Sequence, residues 1–189
     1  MRWALLIIIV YCTNGLYAQP IYSVSIGLNY SDFYGYAAED MTIYRELQNE
    51  FAEIVSIRTG LEVEGNISKA LSYRSGIIYR SRGTTGAKMN VISAPLVLFI
   101  GSTSAKIGMG FSPSIMLNSG SYDHSHYHYP IHMAATFKLL DRLLVSVGHL
   151  RQFNSVITVN PENFNSPRMI PEIKMKVHET YLSIAYQMF

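Results

Sequence analysis

The chain has 189 residues and nearly balanced charge, 15 Lys and Arg against 13 Asp and Glu, which excludes the basic surface that a nucleic-acid partner requires. It is 49% hydrophobic and only 15% charged, yet beyond the first residues no stretch approaches the roughly 18 to 20 apolar residues of a membrane-spanning helix. A single cysteine, Cys12, excludes a disulfide framework.

Arg2, the apolar run WALLIIIVY and the Leu16-Tyr17-Ala18 approach to Gln19 have the layout of an export signal. Residues 1–18 are therefore expected to be removed, Cys12 with them, leaving 19–189 as one domain. The mature part opens on YSVSIGLNY, where Tyr22, Val24, Ile26, Leu28 and Tyr30 alternate with Ser23, Ser25, Gly27 and Asn29. Period two is the mark of a strand with one greasy and one polar face. A polar segment from Ser31 to Glu53 follows, and within it Met41, Tyr44, Leu47 and Phe51 stand at near-helical spacing, which suits a short amphipathic helix over the barrel mouth and equally a solvated irregular loop.

The alternation then returns. Val55, Ile57, Thr59, Leu61 and Val63 oppose Arg58, Gly60, Glu62 and Glu64; after a turn at Asn66 to Ala70, Leu71, Tyr73, Ile77 and Tyr79 oppose Ser72, Arg74, Gly76 and Arg80. VISAPLVLFIG, residues 91–101, is apolar throughout, so periodicity leaves its facing open, and Pro95 removes one ladder donor. In KIGMGFSPSIML, Ile107, Met109, Phe111 and Ile115 oppose Lys106, Gly108, Gly110, Ser112 and Ser114. The loop NSGSYDHSHYHYP, the strand IHMAATFKLL, a tight turn at Asp141 and Arg142, and LLVSVGHLRQF come next. After a segment holding Pro161, Pro167 and Pro171, the chain closes on HETYLSIAYQMF, where Leu182, Ile184, Tyr186 and Met188 oppose Ser183, Ala185 and Gln187.

The spacing predicts eight strands whose connections alternate long and short. In an up-and-down meander this puts the short turns and both ends of the domain on one side and the long loops on the other, as in outer-membrane barrels. Arg58, Glu62, Glu64, Arg74, Arg80 and Lys106 cannot sit against hydrocarbon, where a midplane Arg or Lys costs about 2 to 4 kcal/mol, so they face inward or face water. Alternation alone also suits a soluble lipocalin-like barrel with the greasy face inside. Strands of about ten residues, a terminal Phe189 and tyrosines near strand ends favour an eight-stranded antiparallel transmembrane β-barrel.

The leader, GLNYSDF, GLEVEGNISKALSYRSGIIYRSRG, APLVLF, KIGMGFSPSIML and the terminal Phe189 together resemble the outer-membrane β-barrel family of Bacteroidetes, labelled porin-family or PorT-like. The resemblance implies a bacterial outer-membrane location, contact with outer-membrane lipid, and for some relatives an accessory part in envelope secretion or transport. Ser183 and Gln187, in phase with Phe189, depart from the usual terminal signature.

Two sets of residues are candidates for chemistry. Arg58, Glu62, Glu64, Arg74, Arg80 and Lys106 form an expected interior charge network; because eight strands enclose a space that side chains fill, a structural network is favoured over a small-solute channel. His124, His126 and His128 would share one face of an extended loop, the spacing of a zinc or copper site, but with only Asp123 beside them and no cysteine a polar, aromatic external loop is favoured over a metal site. No Gly-x-Ser-x-Gly or His-Glu-x-x-His motif is present, so a non-enzymatic protein without a cofactor is expected, either structural or binding through its external loops, where an envelope protein is a candidate partner.

Overall fold

The computed structural model describes residues 20–36, 53–83, 88–118, 123–124, 127–153, 157–159 and 173–188. The expected leader, the near-helical segment from Met41 to Phe51 and the terminal Phe189 lie outside them.

Among the described residues thirteen strand segments build eight staves. The first three are β1 (Ile21–Tyr36), β2 (Ile54–Asn66) and β3 (Leu71–Gly83). The fourth is β4 (Lys88–Ser93) continued by β5 (Leu96–Gly101), and the fifth is β6 (Ala105–Phe111) continued by β7 (Ser114–Asn118). The sixth is β10 (Ile131–Leu140), preceded by the two-residue pieces β8 (Asp123–His124) and β9 (Tyr127–His128). The seventh is β11 (Leu143–Arg151), followed by β12 (Ile157–Val159), and the eighth is β13 (Ile173–Gln187). All pairings are antiparallel, and β1 pairs with β13 from Ser23↔Gln187 to Tyr36↔Lys174. With β2–β3 also paired, the sheet closes into an eight-stranded barrel without a free edge.

Two strands are longer than the alternation suggested. β1 continues through Ser31 to Tyr36, residues expected in a loop, and β13 begins at Ile173 instead of near His178. The two extensions pair with each other. Each satisfies the other's backbone groups, so polar side chains there do not end the strand.

Three prolines interrupt neighbouring staves along one line. Ala94 N–H donates to the carbonyl of Pro113 at 2.9 Å, and Ser112 N–H donates to that of Pro130 at 3.0 Å. The missing proline donors thus break β4 from β5, β6 from β7 and β9 from β10, yet each stave keeps its phase across the break. On the open stretch 91–101 this phase puts Val91, Ser93, Val97 and Phe99 inside and Ile92, Leu96, Leu98 and Ile100 outside.

The exterior is the greasy face. Ile26 is 63% exposed, Ile57 62%, Leu61 61% and Ile107 69%, whereas Arg80 and Arg82 are 0% exposed inside. The soluble-barrel alternative requires the opposite facing and fails on these residues. The turns at Ile67–Ala70, Ser102–Ser104 and Asp141–Arg142 share one end with Ile21 and Gln187, and this end opens on a shallow vestibule of about 150 Å³.

Candidate functional site

The polar faces of the staves converge on an interior with two charged tiers. At the short-turn end, the β2–β3 register places Glu64 opposite Arg74. Arg74 Nε and Nη2 both donate to Glu64 Oε2, at 3.2 and 3.0 Å, while Glu62 Oε2 stands 3.6 Å from Nε. The expectation that Arg74 meets one of these glutamates therefore resolves in favour of Glu64, with Glu62 as a flanking charge. Lys106 reaches Glu64 from β6, and Ser25 Oγ donates to Glu62 Oε1 at 2.6 Å. Arg74 Nη1 spans the barrel to Thr136 Oγ1 and Ser146 Oγ, at 3.3 and 3.2 Å, and its guanidinium lies 4.8 Å from the Phe99 ring centre.

Towards the long-loop end, Arg58 and Arg80 are direct cross-strand partners, an arrangement that is repulsive unless the side chains diverge. They do diverge. Arg80 Nε donates to Glu179 Oε2 at 2.6 Å and Nη2 to Oε1 at 3.4 Å, and Nη1 contacts Ser93 Oγ. Arg58 instead lies over the Tyr181 ring, 4.0 Å from its centre. Arg82 Nη1 donates to Glu179 Oε1 at 3.2 Å and to Gln152 Oε1 at 3.1 Å, and Asn29 Nδ2 adds a further bond to Glu179 Oε2.

Between the tiers, Tyr181 folds against Gly148, its cross-strand neighbour on β11. A Cβ at Gly148 would collide with the Tyr181 ring, so the absence of a side chain there is what lets the ring lie flat enough to support Arg58. The Tyr181 hydroxyl meets His132 Nε2 at 2.7 Å. The void left among Arg58, Glu62, Arg74, Phe99, His132 and Tyr181 is about 10 Å³, at the threshold for a single water.

All six expected network residues thus point inward: Arg58, Glu62, Glu64, Arg74 and Arg80 are buried and Lys106 nearly so. Sequence reasoning missed Glu179 and Arg82. Both were in phase with residues already placed on a polar face, Glu179 with Ser183 and Ala185, Arg82 with Arg74 and Arg80.

The expected histidine site is only partly described. His124 falls in β8 and His128 in β9, with the His128 side chain fully buried. His126 and the side chain of His124 lie outside the described residues. Among the described residues no group of three His, Cys, Asp or Glu is placed to hold a metal.

A closed barrel with an apolar exterior and a charged, filled interior is an outer-membrane protein, since water-soluble barrels face the other way. The chain is an eight-stranded antiparallel β-barrel of the bacterial outer membrane. It is similar in structure to Ail, the attachment invasion locus protein of Yersinia pestis, with a TM-score of 0.51 and 10% identity over 90% of this chain and 100% of Ail. Neisserial surface protein A matches with a TM-score of 0.49 and 9% identity over 90% of this chain and 100% of that one. AlkL, solved in lipid bilayers, matches with 0.48 and 9% over 91% and 92%. No family model and no curated protein sequence matches the chain.

Proposed function

We propose that the chain is a non-conducting, non-enzymatic barrel that holds its long loops at the membrane surface for binding a partner protein of the envelope. The observation that carries this reading is the filled mid-barrel. Arg58, Arg80, Phe99 and Tyr181 are each buried, and the space among the central side chains holds about 10 Å³, too little for a hydrated ion. A scaffold with a plugged interior offers only its ends for recognition, and long loops at one end are where binding residues concentrate. The resemblance to PorT-like barrels of Bacteroidetes narrows the partner to a component of an envelope secretion or transport machine. Support for a non-enzymatic role comes from the sequence, which carries no Gly-x-Ser-x-Gly or His-Glu-x-x-His motif.

Two measurements test the reading. The protein reconstituted in a planar bilayer is expected to show no sustained single-channel steps; steady conductance would overturn the plugged scaffold. Crosslinking in native membranes is expected to capture an envelope protein, and replacing residues 37–52, between β1 and β2, and 160–172, between β12 and β13, with Gly-Ser linkers is expected to abolish capture without unfolding the barrel. Capture that survives replacement of every long loop would overturn loop-mediated binding.

A further inference from the structure

β3 sends three arginines into the barrel, Arg74, Arg80 and Arg82, and two of them present the same edge of the guanidinium to a carboxylate. Arg74 uses Nε and Nη2 on Glu64. Arg80 uses Nε and Nη2 on the two oxygens of Glu179. On Arg82 this edge is different. Only Nη1 is engaged, by Glu179 and Gln152, while Nε and Nη2 have no hydrogen-bond partner although the residue is 0% exposed. Nε and Nη2 are two parallel donors spaced for the two oxygens of a carboxylate, phosphate or sulfate.

The local charge points the same way. Among the described residues the short-turn tier is balanced, Arg74 and Lys106 against Glu62 and Glu64. Among the described residues the long-loop tier sets Arg58, Arg80 and Arg82 against Glu179, with Glu62 of the other tier as the remaining carboxylate near Arg58, and Arg58 Nε is also buried without a partner. A water could satisfy a donor there, but it would leave the excess positive charge uncompensated in a low-dielectric interior.

We propose that the long-loop end of the barrel interior is an oxyanion site, in which a small anion with two oxygens in one plane is chelated by Nε and Nη2 of Arg82. Glu179 holds the opposite corner of the guanidinium through Nη1 and so fixes the direction of the fork. Ser31, Met89 and Val177 around this end are also buried, so the anion enters during folding or when the end opens, and it exchanges slowly.

The test uses the whole barrel refolded into neutral detergent with inorganic phosphate, acetate or chloride at equal ionic strength. Phosphate or acetate is expected to stabilise the wild type with the logarithmic concentration dependence of binding at one site, starting at millimolar concentration and raising the folding equilibrium constant about a hundredfold at a hundredfold excess over the dissociation constant. Salt exclusion from the surface also stabilises, but in proportion to concentration and equally in variants. Arg82→Gln, and Arg82→Lys, which keeps the charge and loses the fork, are expected to abolish the logarithmic part. Lys69→Gln, on an exposed turn at the opposite end, is expected to retain it. A response to phosphate without acetate assigns the site to tetrahedral oxyanions, and the reverse assigns it to carboxylates. Radiolabelled phosphate or acetate, whichever responds, should remain on the wild-type barrel at one per chain after gel filtration. Equal stabilisation by chloride, or a gap between wild type and Arg82→Gln that no anion changes, would overturn the proposal. Should Arg82→Gln fail to fold, the logarithmic concentration dependence and the labelled stoichiometry of the wild type, compared with Arg82→Lys, decide the matter.

Discussion

Arg80 on β3 and Glu179 on β13 form a two-point pair across the barrel interior, Nε to Oε2 at 2.6 Å and Nη2 to Oε1 at 3.4 Å, although β1 and β2 lie between their strands. The pair ties the closing strand to the second hairpin through the lumen and not along the wall. Arg82 and Asn29 share the same carboxylate, so Glu179 is the hub of the long-loop tier. Removing one partner of a buried pair leaves an uncompensated charge, which costs about 3 to 5 kcal/mol. Glu179→Gln is therefore expected to destabilise the barrel by about that amount in urea titrations in lipid vesicles. The double change Glu179→Gln with Arg80→Met is expected to cost less than the two single changes added together; simple additivity would show that the pair contributes no coupling.

Arg74 gives a sharper comparison, because it has two carboxylates at different distances. Glu64 takes two donors at 3.2 and 3.0 Å, while Glu62 is 3.6 Å away and accepts from Ser25. Double-mutant cycles should give Arg74 a coupling to Glu64 at least twice its coupling to Glu62, on the order of 1 to 3 kcal/mol for the stronger pair. Equal couplings would mean that the cross-strand register does not select the partner.

How far these relationships were legible depends on what set each of them. Facing was legible wherever one side of a strand carries charge and the other carries aliphatics, as at Arg58 and Glu62 against Ile57 and Leu61. It was illegible at 91–101 because the interior wall there is itself apolar: Phe99 lies beneath the guanidinium of Arg74 and near the ammonium of Lys106, and Val97 packs beside it. Long cationic side chains reach across from other staves and cover that wall with their stems, so a strand of the charged lumen reads as if it were greasy on both faces. Partner identity was legible only between neighbours. Arg74 and Glu64 follow from a short turn, but Arg80 and Glu179 are 99 residues apart and meet through barrel closure, which no local spacing records.

The outward face makes a direct prediction. Spin labels or lipid-quenched fluorophores at Ile57 and Leu61, each more than 60% exposed, are expected to report hydrocarbon, and labels at Arg58 and Glu62 are expected not to. Ile57→Arg is expected to cost up to about 2 to 4 kcal/mol, the upper figure applying if the position is at the bilayer midplane. Quenching at Arg58 with none at Ile57 would reverse the facing of β2.

Gly148 tests whether the centre of the barrel is held by shape as well as by charge. Its strand partner Tyr181 lies over the position a Cβ would occupy, and the other face of that arrangement supports Arg58 at 4.0 Å while the hydroxyl meets His132 at 2.7 Å. A methyl group at Gly148 displaces the ring, and the ring takes the Arg58 platform and the His132 hydrogen bond with it. Overpacking of this kind costs about 1 to 3 kcal/mol. Gly148→Ala is therefore expected to lower the urea midpoint of folding, and in a Tyr181→Leu background the same substitution is expected to cost much less, because the ring it strikes is gone. Arg58 supplies a second readout. With Nε unpartnered and its charge resting on an aromatic face, Arg58 depends on Tyr181 more than on any hydrogen bond, so Arg58→Met should be nearly neutral once Tyr181 has been replaced. A full-sized Gly148→Ala penalty in the Tyr181→Leu background would place the strain in the backbone of β11 and not in the ring, and the stacked Arg58 would then need another explanation for how it is held among so many other cations.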